Sequence, residues 1–189
     1  MSIVAFAVTL LASYCCIGAA IKLVDDLHDS LRQFRGRSSL SWAIIAGAAV
    51  LVDLWAYMDA YTDGLALALL LGLVLTRKVD NRYFLALALT TLPFVLLPMV
   101  RVDVLLLVLP MLLALAPAAA ADEALDAVGP RLRHASLRGL ARHRPIMKVV
   151  VLVLPFFGFL TVFHAIAFWG FDLAYGLVGY GLRAPVSKP

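Results

Sequence analysis

Long apolar runs, each closed by a short cluster of charges, alternate along the whole chain. A bilayer core about 30 Å thick takes about 20 residues of helix, with a usual range of about 17–25. Ile3–Val24 is the first such run and meets no charge before Lys22, and Leu40–Met58 is the second, with Asp53 inside it. Gly64–Thr76 is too short alone, so it draws in Ala60–Asp63 or stands nearly upright. Tyr83–Val100, Val104–Ala121 and Ile146–Trp169 follow, which makes about six predicted spans. Phe171–Leu182 is apolar but shorter, with Gly176, Gly179 and Gly181 among Tyr175 and Tyr180. It reads as an interfacial or re-entrant segment, with a short seventh span as the alternative. Pro93, Pro98, Pro110, Pro117 and Pro155 fall within or at the ends of these runs. Membranes tolerate such prolines, because neighbouring helices satisfy the freed carbonyls.

Composition makes the class unambiguous. Of 189 residues, 63% are hydrophobic and 15% charged, against about 25% charged in an ordinary soluble domain. What remains cannot clothe a water-exposed surface. An ordinary globular enzyme, a disordered regulator and a nucleic-acid-binding domain are excluded, despite a pI near 9.3. The expected fold is all-α, a single polytopic transmembrane bundle over residues 1–189, in the cell membrane.

Charge then orients it. Thirteen of the sixteen basic residues lie in the first, third and fifth loops, and only Arg101 lies in an even-numbered one. The positive-inside rule puts the odd loops in the cytoplasm and the N-terminus outside. The net charge of +4 therefore needs no nucleic acid; anionic lipid headgroups are sufficient partners. Cys15 and Cys16 are too few for a disulfide framework or a four-ligand zinc site. Small Ala- and Gly-rich spans also suit packing with partner helices in an oligomer or larger complex.

Carboxylates near a bilayer are costly and require an account. Three groups lie on the cytoplasmic side: Asp25, Asp26 and Asp29 at the end of the first run, Asp80 in the third loop, and Asp122, Glu123 and Asp126 at the end of the fifth. Asp25 and Asp29, like Asp122 and Asp126, are one helical turn apart and share a face. Such pairs suit Mg2+, which takes one or two carboxylates together with substrate phosphate oxygens. Arg77, Lys78 and Arg82 would neutralise a diphosphate. The alternative is a set of helix-surface ion pairs, such as Lys22 with Asp26. A second group, Asp53, Asp59 and Asp63, faces outside by the same rule, with Tyr57, Tyr61 and Thr62 among it. That group points to a proton or cation pathway, or to hydrogen bonds between helices. His164 lies in a Phe-rich run and reads as a core histidine satisfied by a partner rather than a haem ligand.

Asp25-Asp26-Leu27-His28-Asp29 and Asp122-Glu123-Ala124-Leu125-Asp126 together resemble the two aspartate-rich motifs of UbiA-type intramembrane prenyltransferases. The pattern departs from that family at Gln33 and Pro130, where a further Asp would stand, and in span number. The resemblance implies an all-helical enzyme that binds an isoprenoid diphosphate through magnesium at the cytoplasmic face. It assigns Asp25, Asp26, Asp29, Asp122 and Asp126 to the metal. The functional expectations are a Mg2+-dependent enzyme on an isoprenoid or lipid diphosphate, and as alternatives a small proton- or cation-coupled transporter or channel using Asp53, Asp59 and Asp63, or a structural subunit of a membrane complex.

Overall fold

A computed structural model describes residues 2–31, 38–75, 82–128 and 145–182. The described residues form seven α-helices: α1 (Ile3–Leu31), α2 (Ser38–Met58), α3 (Ala60–Leu75), α4 (Arg82–Leu96), α5 (Val102–Val128), α6 (Pro145–Val153) and α7 (Val162–Leu182). Short 3-10 turns follow α4 at Pro98–Val100 and α6 at Leu154–Phe157. Five of the helices are long and apolar enough to cross a membrane, and the helical stretches Ala60–Gly72 and Pro145–Phe157 are shorter and equally apolar. The chain is a multi-pass membrane protein.

Contacts between helices set their directions. Gly64 meets Val108 and Met111, and Gly72 meets Ala119, so α3 and α5 run parallel. Trp42 stacks edge-on against Tyr83, and Asp53 stands opposite Thr91, so α2 and α4 run parallel the other way. Gly170 meets Leu11 and Cys15, and Gly179 meets Lys22, which aligns α7 with α1. Successive described helices thus alternate in direction. One end of the bundle gathers Phe6, Asp59 and His164; the opposite end gathers Lys22, Asp122 and Ile146. The main core joins Leu10 and Tyr14 of α1, Met111 and Leu115 of α5, Val151 of α6 and Phe168 of α7.

Lipid tails are as apolar as leucine, so close packing rather than water exclusion holds such helices together. α1 makes its most extensive contact with α7, and glycines allow it. A Cβ on Gly18 would collide with the backbone oxygen of Phe171, and one on Gly170 would reach 2.5 Å from Leu11 Cδ1.

The run Ile146–Trp169, expected as one span, is divided between two helices. Pro155 lacks an N–H, Gly158 takes φ 73 in the left-handed region, and its N–H closes back on Leu154 and Pro155. Glycine reaches that conformation without a Cβ penalty, so it ends the helix there. Thr161 then caps α7, its Oγ1 accepting the His164 N–H at 3.3 Å. Phe171–Leu182 is consequently no separate re-entrant piece but the second half of α7. The third run does draw in Ala60–Asp63, as expected. Lys22 and Lys148, counted with the basic loops, sit on helices inside the bundle.

Candidate functional site

At the Phe6 end, a single residue separates α2 from α3. Asp59 closes the α2 turn with its N–H on Trp55 O and opens α3 with its side chain. Its Oδ2 accepts the Thr62 N–H at 2.9 Å, the reach of an N-cap to the third residue of its helix. The same oxygen accepts the Thr62 hydroxyl at 2.9 Å and meets His164 Nε2 at 2.5 Å. Tyr14 OH donates to Thr62 Oγ1 at 3.0 Å, and Thr161 Oγ1 lies 2.6 Å from His164 Nδ1.

These distances imply a proton order. Burial works to raise the Asp59 carboxyl, but the His164 and Thr62 hydrogen bonds outweigh it and hold the group below the usual carboxylate range. With Asp59 ionised, Nε2 carries the proton it donates to Oδ2. Tyr14 through Thr62, and His164 directly, thus bring donors to one carboxylate oxygen, with Thr161 Oγ1 paired to the other ring nitrogen. No described group hydrogen-bonds Asp59 Oδ1.

One turn beyond, Asp63 has no solvent exposure. Its backbone N–H bonds Asp59 O, yet neither carboxyl oxygen finds a hydrogen-bond partner among the described residues. Above the network a cavity of about 400 Å³ opens, with Asp59, Thr161 and His164 in its wall. Ile3, Phe6, Tyr61 and Phe163 make up the rest of the lining, and Phe6 and Tyr61 pack against the His164 ring.

Compared with known protein families, curated sequences and solved structures, the chain matches none.

Asp53, expected with Asp59 and Asp63, lies elsewhere. It faces Thr91 of α4, and neither Asp53 Oδ1 nor Thr91 Oγ1 completes a hydrogen bond among the described residues. At the opposite end the aspartate-rich motifs are on helices that choose different neighbours: α1 packs on α7 and α2, and α5 on α3 and α6. Asp25 and Asp26 both pair with Lys22, at 3.1 and 2.8 Å, and Tyr175 OH approaches Asp25 at 3.5 Å. Asp122 is buried and holds the start of α6, its two oxygens accepting the N–H groups of Ile146 at 2.9 Å and Met147 at 2.7 Å. Asp126 is half-buried one turn further along. Arg82 lies against Tyr83, its Nη2 donating to Tyr83 OH at 3.1 Å. Arg77 and Lys78 lie outside the described residues, as does the side chain of Asp29. Among the described residues, no three His, Cys, Asp or Glu side chains come together as a metal-holding group.

Sequence reasoning missed Thr161 and the pairing of His164 with Asp59. A threonine three residues before a histidine, just after Pro155 and Gly158, was the available signal: a helix stop followed by a cap.

Proposed function

We propose that the chain is a cell-membrane protein of the transporter or channel class that takes up a proton or small cation at its Asp59 end. By the distribution of basic loops, this end faces outside. The observation that carries the reading is the Asp63 carboxyl, fully buried with both oxygens unpartnered among the described residues. An isolated ionised carboxylate in an apolar interior costs on the order of tens of kcal/mol. Only two forms of Asp63 are therefore affordable: neutral with its own proton, or ionised with a cation against it. One turn away, Asp59 and His164 share a 2.5 Å hydrogen bond and border a cavity. An acceptor pair at the mouth and a proton-requiring carboxyl beneath make an entry relay.

The magnesium-diphosphate reading asks for Asp122, whose oxygens already hold α6; the relay needs no such rearrangement. Reconstitution tests it. In liposomes bearing an internal pH-sensitive dye, an imposed potassium diffusion potential should drive proton entry through the wild-type protein. Asp63→Asn should abolish that flux, while Asp126→Asn at the opposite end should leave it unchanged. No wild-type flux, or equal flux through Asp63→Asn, would overturn the proposal.

A further inference from the structure

The cavity wall combines two features that the proton relay does not use. Asp59 directs all its hydrogen bonds to Oδ2, so Oδ1 keeps its lone pairs, and Asp59 lines the cavity. Around it stand the aromatic rings of Phe6, Tyr61 and Phe163. Among the described lining residues there is no Lys or Arg to compete for the carboxylate, and His164 is committed to Oδ2 on one side and Thr161 on the other.

An unshared carboxylate oxygen attracts positive charge. The faces of aromatic rings attract a cation as well, most strongly where water is excluded. Apolar walls reward a body with little polar surface, and about 400 Å³ falls within the usual range of small-molecule sites, about 300–1,000 Å³. We infer that this cavity binds an amphipathic organic cation of the substituted-ammonium class, its charge against Asp59 Oδ1 and its apolar body among Phe6, Tyr61 and Phe163. The inference deepens the proton-uptake reading and rests on it for the consequence of binding: a cation at Oδ1 would compete with protonation of the same carboxylate.

Benzyltrimethylammonium is a suitable probe, with benzyl alcohol as the uncharged comparison and benzoate as the anionic one. Thermal unfolding of the full chain in detergent reads occupancy, since a ligand of the native state raises its stability with concentration. The cation should raise Tm in a saturable way and the other two should not. Asp59→Asn should weaken the cation by roughly tenfold or more, and Asn caps a helix as well as Asp does, so α3 should persist. Phe163→Leu leaves every hydrogen bond in place and removes one aromatic face; it should weaken binding several-fold. Equal stabilisation by benzyl alcohol, wild-type affinity in Asp59→Asn, or no cation effect at all would each refute the inference. Proton flux measured without any organic cation separates the two claims. Flux that depends on Asp63 without cation binding leaves only the relay standing; cation binding without flux leaves only the cavity.

Discussion

Asp122 and Asp59 are the same residue type, each at a helix junction, and they do different work because of what surrounds them. Asp122 spends both oxygens on the first N–H groups of α6. Asp122→Ala should cost about 1–3 kcal/mol by orphaning two backbone donors, measurable as a lowered unfolding midpoint in detergent, and Asn should recover part of the loss. Asp59 directs its hydrogen bonds to one oxygen and is held below the usual carboxylate range by His164 and Thr62 against the opposing effect of burial. A depressed folded value means that its stabilisation is complete above the unfolded Asp value of about 3.9, then fades as pH falls through the folded one. Unfolding of wild type and Asp59→Asn should therefore differ most above about pH 4 and converge below it. The types and positions of these residues were legible in the sequence. Their partners were not: the i,i+4 spacing of Asp122 and Asp126 suits a metal and a helix clamp equally, and only the arrival of α6, 24 residues on at Ile146, decides what Asp122 touches.

At the scale of elements, hydropathy located every apolar run but missed a turn within one. Ile146–Trp169 is hydrophobic throughout, so a window average passes over Pro155, Gly158 and Thr161, which together stop one helix and start another. Gly158→Ala forces a Cβ into the left-handed region and should destabilise by about 1–2 kcal/mol, without a packing clash, since nothing lies within 4 Å of that position. Gly18 is the opposite case: its backbone dihedrals are ordinary, and the penalty comes from Phe171 pressed against it. Gly18→Leu should separate α1 from α7, with a loss well above that of Gly158→Ala, and should also pull Lys22 from the ring of Tyr175. Comparing the two variants in one unfolding series distinguishes backbone strain from helix packing.

For the described bundle, α1 and α7 run the same way, which places Ile3 and Leu182 at opposite ends of it. Reporter fusions after residue 182 and before residue 3 should give opposite compartment signals. The architecture class and the orienting charge asymmetry were available from the sequence because both are sums over many residues. The break between α6 and α7 rests on Pro155, Gly158 and Thr161 alone and could not emerge from a sum. The pairing of α1 with α7 has a further consequence, one of timing. A ribosome delivers helices in order, yet α1 finds its largest partner only when α7 is made. Until then the Gly18 groove stands open to lipid and the Asp59 carboxylate has no imidazole, so synthesis must reach α7 before the site can exist. A chain truncated anywhere before Val162 would therefore leave the membrane with a half-built site at its mouth, and surveillance of membrane proteins would meet this one late.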